Sequence, residues 1–290
     1  MLKKCLSLFI TGMILIAVGG IGIATLAMNG LIDSLSINGS STAELIPSAV
    51  MPIEETQEIT SLDLSADVGI FTVVRGESFS LETNLSTISC EVSDNCLKIE
   101  NTASASFMNF NTIGAEITVT VPERQFDEVK IELNAGEFYA NDIITDKLII
   151  EMDAGEAVFN NISAISDSNI TINAGECTFN NSILNDSEVN MDAGEMIFEE
   201  CKLTGENDIN LDFGEISMNL LGKRSDYELE INNDLGEVNL DGIPYLGKDV
   251  VTTAIVKIDE DGNTEYVTET VGTININLDL GECNIDFMEE

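Results

Sequence analysis

Histidine and tryptophan are absent from this chain of 290 residues, and Lys and Arg together number 12 against 52 Asp and Glu. Each shortage removes a class of function. Without His there is no Ser-His-Asp or Cys-His relay and no imidazole metal ligand. With no Trp and four Tyr, sugar binding on stacked aromatic rings has few residues to use. A formal charge of −40 argues against nucleic acid, because phosphate contacts need clustered Lys and Arg. Four Pro and 22 Gly exclude collagen-like and proline-rich stalk sequences. The six Cys fall into no zinc-binding spacing. Apolar material, by contrast, is ample. Hydrophobic residues make up 44% of the chain, enough for a packed core and too much for a disordered one.

One block of that material stands apart. Lys3 and Lys4 precede Leu6–Met28, 23 residues without a charge, and the first acid is Asp33. At about 1.5 Å per residue this run spans a hydrocarbon core of about 30 Å. The lysine pair holds the N-terminus in the cytoplasm, so everything after Met28 is expected outside. Residues 1–28 are therefore read as cytoplasmic lysines plus a transmembrane anchor over 6–28, in a single-pass protein of the cell membrane. A secretory signal has a shorter apolar region of roughly 7–15 residues, although Thr25-Leu26-Ala27 offers a cleavage site as the alternative. Cys5 lies at the wrong end of the run for lipoprotein processing. Gly20 and Ala24 form one small-residue pair of the kind that lets membrane helices pack, with ordinary glycine tolerance as the plainer reading. Setting Lys3 and Lys4 aside moves the charge of the exported part from −40 to −42. That excludes a basic patch for anionic lipid and leaves cations or cationic polymers as electrostatic partners.

Residues 29–57 are rich in Ser, Thr, Gly and Glu, carry Pro47 and Pro52, and show no sustained period. They read as a flexible linker with a typical span of about 30 Å.

From residue 131 a short pattern returns as NAGE, DAGE, NAGE, DAGE, DFGE, DLGE and DLGE. Its glycines are Gly136, Gly155, Gly175, Gly194, Gly214, Gly236 and Gly281, spaced 19, 20, 19, 20, 22 and 45 apart. A period near 20 means stacked supersecondary units. Columns counted from the glycine show what each unit is. Five residues before it stand Ile131, Ile150, Ile170, Val189, Ile209, Ile231 and Ile276, and four after it Ala140, Phe159, Phe179, Phe198, Met218, Leu240 and Ile285. Polar residues alternate with these on both sides, the period-2 signature of half-buried strands, and Asn233 is the one break in the apolar columns. Each unit is thus a strand, a tight Asx-x-Gly-Glu turn, a second strand and a looser return. The glycine supplies positive φ, and the Asx side chain can bond the backbone two residues on. Stacked, such units make an all-β protein, a β-solenoid or a closely related stack of hairpins, with Phe159, Phe179 and Phe198 in successive rungs.

The expected domain covers residues 58–290. An irregular cap over 58–126 is followed by repeats over 127–290, with Pro122 closing the last cap strand. Between copies six and seven, residues 250–259 and 264–271 bracket Glu260-Asp261-Gly262-Asn263 as a hairpin that replaces or extends one rung.

With these features the chain resembles the bacterial putative-adhesin family, a β-strand-repeat domain of unknown function in cell-envelope proteins. The resemblance rests on the lysine pair and glycine-rich anchor, on Ile117-Thr118-Val119-Thr120-Val121-Pro122, and on the tandem Asx-Ala-Gly-Glu copies. It also rests on Asp226-Tyr227-Glu228-Leu229-Glu230-Ile231 ahead of a Leu-Gly-Glu turn and Asp241-Gly242. It covers roughly residues 58–290. It implies an extracytoplasmic β-repeat fold with an envelope-associated role, and it carries no catalytic residues.

Candidate chemistry is sparse. Glu137, Glu156, Glu176, Glu195, Glu215, Glu237 and Glu282 would form a ladder at about 4.8 Å spacing, beside an Asx column. A row of sites for a divalent cation such as calcium is the functional reading, and a solvated turn is the plainer one. Asp259-Glu260-Asp261-Gly262-Asn263 superficially matches a calcium loop, but Lys257 and Thr268 fall at its first and last ligand positions, so a hairpin turn is expected. Cys90 and Cys96 flank a short turn where a disulfide would be permitted outside the cell. Cys177, Cys201 and Cys283 read as interior. No cofactor, no catalytic residue and no enzyme activity are expected. The functional expectation is a membrane-anchored, extracytoplasmic β-repeat protein with a structural, adhesive or envelope-stress role, its envelope polymer or protein partner unspecified. A cation- or ligand-binding sensor near the membrane is the alternative. A polysaccharide-processing β-helix enzyme stands third, since an acidic polymer would be repelled and bases are few.

Overall fold

A computed structural model describes residues 45–288 apart from 56, 68, 86–87, 102–113, 246–249, 252–254, 259–263 and 268–269. The anchor over 6–28 with its cleavage site and small-residue pair, the linker up to residue 44, and the Glu260–Asn263 turn lie outside the described residues. Among the described residues no helix is long and apolar enough to cross a membrane.

The alternating pattern produces strands throughout. One end is built from β1 (Leu45–Pro52), β2 (Ser61–Ala66), β3 (Ile70–Gly76), β4 (Ser80–Leu85), β5 (Ser89–Ser93), β6 (Cys96–Asn101) and β7 (Glu116–Pro122). The middle comprises β8 (Gln125–Leu133), β9 (Glu137–Asn141), β10 (Ile144–Asn160), β11 (Ser163–Asn180), β12 (Ile183–Asn185) and β13 (Ser187–Leu221). The other end holds β14 (Tyr227–Asn233), β15 (Glu237–Leu240), β16 (Ile243–Tyr245), β17 (Val250–Val251), β18 (Ile255–Ile258), β19 (Thr264–Val267) and β20 (Gly272–Met288).

Of the two arrangements the repeat allows, the molecule is a solenoid. Successive rungs pair in parallel and in register, with Ile150 opposite Ile170, Gly155 opposite Gly175 and Phe159 opposite Phe179. Most Asx-x-Gly-Glu segments are corners within long strands, since β10, β11, β13 and β20 run through them, whereas the first and sixth copies separate β8 from β9 and β14 from β15. A second corner uses left-handed residues that tolerate it, Asp142, Asn161 and Asn181, with Glu200 in the same column. A short third wall follows that corner, where Phe126, Thr145, Ala164, Leu184 and Leu203 stack in register and are buried.

The core fills by compensation along the stack. The first copy places Phe138 two residues after its glycine and Ala140 four after, and the second reverses this with Ala157 and Phe159. The rings still meet. Phe71, Phe138, Phe159, Phe179 and Phe198 lie at successive centroid distances of 5.4, 5.8, 4.7 and 5.7 Å. The expected triplet of Phe rungs is therefore a stack of five.

Rung order departs from chain order at both ends. β20 is the last strand, yet it lies between β13 and the β14–β15 rung, pairing in parallel with both. The expected extra rung between copies six and seven is thus replaced by a return of the chain into the stack. Likewise β2 and β3, the first rung in sequence, lie between β6–β7 and β8–β9. Antiparallel strands then close each end: β4 on β7 and β5 on β6, and at the far end β16 on β15 and β17 on β14. Unpaired parallel edges would template association, and these hairpins cover them. β18 and β19 form the anticipated hairpin, with Ile258 opposite Thr264.

Two further segments differ from expectation. Leu45–Pro52, read from composition as linker, is a strand paired antiparallel with β4. Its prolines suit an edge position. The β5–β6 hairpin turns on Asp94 and Asn95, both at positive φ, so Cys90 faces Ile99 while Cys96 faces Ser93. Both thiols are free. Cys177, Cys201 and Cys283 are buried in the core.

Candidate functional site: the acidic corner column

Backbone packing sets the site. At the corner, consecutive glycines stack so closely that a Cβ on Gly155 would lie 2.1 Å from the carbonyl oxygen of Gly136. That oxygen accepts the N–H of Glu156 at 2.9 Å. Gly136, Gly155, Gly175, Gly194 and Gly214 all take positive φ, as the sequence pattern requires. Gly236 and Gly281 do not. Asn233 accounts for the exception at Gly236, and for the break in the apolar column. Its side chain accepts the Gly236 N–H at 2.6 Å and donates to the Gly236 carbonyl at 2.9 Å, pinning the corner by side chain instead.

The seven glutamates do form one column, in the spatial order 137, 156, 176, 195, 215, 282, 237. Burial, followed by the neighbouring Glu176 and Glu137, holds the Glu156 carboxyl above its ordinary value. The same causes act on Glu195, with Glu176 and Glu215 as neighbours. Tyr139 donates its hydroxyl to Glu137 Oε2 at 2.9 Å, and burial with that carboxylate pushes the phenol up to about 12.

The Asx column behaves differently from the expected backbone caps. Asn134 donates to Asp67 at 2.6 Å and Asn173 to Asp153 at 2.8 Å, each across to the preceding rung. Alternating amide and carboxylate thus relieves repulsion in the early copies. Beyond Asn173 the column runs Asp192, Asp212, Asp279, Asp234 without an amide. Outside this column other asparagines stack: Asn210 donates to Asn190, Asn277 to Asn210 and Asn232 to Asn277. Among the described residues no group of three or more Cys, Asp or Glu is arranged to hold a metal ion.

Two members of the site escape the sequence pattern. Asp67 and Gly69 mark a further corner copy, with Gly69 stacked directly under Gly136. It lacks the glutamate, carrying Ile70 there, and an interposed rung destroys the 20-residue spacing. The second is the residue just before each glycine. It is Ala in the first four copies and Phe213, Leu235 and Leu280 in the last three.

Residues 78–243 match the family model described as Toastrack DUF4097. The chain belongs to the Toastrack family. Among solved structures, this Toastrack chain is similar to a "putative cell adhesion protein" from Clostridium sporogenes. Identity is 14%, with 84% of this chain and 99% of that chain covered and a TM-score of 0.33. A "putative adhesin" from Bacteroides fragilis is 12% identical over 86% of this chain and 100% of that one, with a TM-score of 0.31. Another from Parabacteroides distasonis is 10% identical, with coverages of 84% and 98% and a TM-score of 0.33. No curated protein matches the chain.

Proposed function

We propose that this Toastrack chain is a single-pass, membrane-anchored protein whose solenoid stands outside the cell and serves a structural, adhesive or envelope-stress role without catalysis. The observation that carries the reading is where the chemistry lies. The three walls bury continuous apolar columns, and the carboxylates stand on an outer corner as a stacked row. An enzyme acting on polysaccharide would need carboxylates and a free base in one cleft. Arg124 does line an open hollow with Glu55 and Glu58. Its guanidinium, however, is engaged by Glu55 at 3.0 Å, by the Ile59 carbonyl at 3.0 Å, and by the Phe79 ring, whose centroid is 5.0 Å away. Such a residue ties the segment between β1 and β2 to the core rather than waiting for a substrate. The exported location is supported by the lysine pair and apolar run at the N-terminus.

The test is topological. A protease added to cells with permeabilised walls should digest residues 58–290 and leave the N-terminus protected. Protection of the solenoid would overturn the location and with it the envelope role.

A further inference from the structure

The residue preceding each corner glycine carries an unexpected change of chemistry. Ala135, Ala154, Ala174 and Ala193 occupy it in the first four copies. Phe213, Leu280 and Leu235 occupy it in the last three, and chain order separates them widely. The return of β20 brings them together. Phe213 and Leu280 are register partners, and the Leu235 N–H donates to the carbonyl of Asp279, the residue before Leu280. Three large apolar side chains therefore follow one another across adjacent rungs, about 4.8 Å apart. Phe213 is 47% exposed and Leu235 68%, with Leu280 half-buried between them. Single exposed apolar residues need no explanation, but a contiguous stripe in register does.

Carboxylates border the stripe on both sides. Asp212 and Asp279 precede it and are exposed, and Glu215 and Glu282 follow the glycines. Among the described residues, the ion pairs of Arg75, Lys98, Arg124, Lys130, Lys147 and Arg224 involve none of Asp212, Glu215, Asp279 and Glu282. We infer that Phe213, Leu280 and Leu235, with Asp212, Asp279, Glu215 and Glu282 beside them, form a docking surface for a cationic amphipathic protein segment that interleaves apolar side chains with Lys or Arg. The charge pattern selects this occupant. A second copy of the chain, at −40, would set carboxylates against carboxylates, and an anionic lipid surface would be repelled as well. A segment with both features gains apolar burial from the stripe and attraction from its borders, and the negative field of the whole molecule speeds its approach. This deepens the role proposed above by naming the partner's chemistry.

The experiment measures binding of synthetic peptides to the full chain in detergent micelles, read against a triple variant so that partitioning into micelles cancels. The probe alternates Leu with Lys. One control replaces Leu by Ser, and another replaces Lys by Glu. The triple variant F213A/L280A/L235A restores the residue of the first four copies, so the corner backbone is retained. The expected result is roughly tenfold or greater weakening in that variant and in the Ser-Lys control, with no binding of the Leu-Glu peptide. A gain-of-site variant, A154L/A174L/A193L, keeps the inference testable even if the triple variant misfolds. It should add a second binding equivalent. Equal binding of the Leu-Lys and Ser-Lys peptides would reduce the corner to loose counter-ion association and overturn the inference. So would Leu-Lys binding untouched by the triple variant, and so would binding to anionic vesicles abolished by it, which would assign the stripe to membrane. These readouts do not depend on topology, so failure here leaves the protease result standing and the reverse.

Discussion

Replacing Gly155 by alanine strikes the corner stack at one of its closest backbone approaches. The residue sits at φ +130°, and the new Cβ would lie 2.1 Å from the Gly136 carbonyl oxygen and 3.0 Å from its nitrogen. Holding an L-residue in so sparsely populated a region costs roughly 1–3 kcal/mol. The obstructed atom is backbone, so no side-chain rotation relieves the overlap. The rungs must separate, weakening the 2.9 Å bond from Glu156 N–H to that carbonyl, at about 0.5–1.5 kcal/mol per bond lost. Together the expected destabilisation is about 1.5–4.5 kcal/mol, or roughly 3–18 °C in Tm for a domain of this size. Gly242 supplies the control, because it too has positive φ (+70°) but nothing lies within 4 Å of its virtual Cβ. Gly242→Ala should carry only the backbone term, about 1–2 kcal/mol. Thermal and urea unfolding of the full chain in detergent, followed by far-UV circular dichroism, measures both. If the two substitutions cost the same, the backbone-on-backbone stacking of the corners is wrong.

Three further outcomes are expected. Phe179→Ala, which removes a fully buried ring stacked 4.7 Å from Phe159 and 5.7 Å from Phe198, should cost about 3–5 kcal/mol, and a loss under about 1 kcal/mol in urea titration would contradict the aromatic stack. The carboxyls of Glu156 and Glu195 are raised above the ordinary 4.5, so the folded state holds their protons more tightly than the unfolded one. Their stabilising contribution is fully present below about 4.5 and disappears as pH climbs through the raised values. Tm should therefore rise on acidification from pH 7 towards 4.5, and E156Q/E195Q should flatten that rise; an unchanged slope would refute the assignment. Raising salt from 0.01 to 0.1 M shortens the Debye length from about 30 to about 10 Å and should raise Tm by relieving repulsion along the glutamate column, while E176Q/E195Q should be more stable than the parent at low salt. A saturable calcium shift at matched ionic strength, abolished by that double substitution, would instead point to a cation site, since a bound ion stabilises by about 2.7 kcal/mol at a hundredfold excess over Kd.

The recurrence of glycine near every twentieth residue, with Ile and Phe columns beside it, determines on its own that the chain forms stacked strands with buried columns. Those features are local, because period-2 alternation fixes which face is buried and positive φ confines the first five corners to glycine. The interior cysteines follow from the same columns. Tertiary structure alone decided that corners are not hairpin turns, since both arrangements share one alternation and differ only in which backbone a strand meets. It also decided rung order. Periodicity says that Glu215 has a neighbour above it, but Glu282 and Glu237 both satisfy the pattern, and only closure of the exposed end, with β20 inserted and β16 and β17 laid antiparallel, chooses between them. The Asp67–Gly69 corner was hidden for the same reason at the opposite end. The apolar stripe of Phe213, Leu280 and Leu235 exists because of that choice. A stacked repeat specifies its nearest-neighbour contacts by local pattern, but its ends must bury edges that no pattern describes, and those long-range pairings set the order of the final rungs.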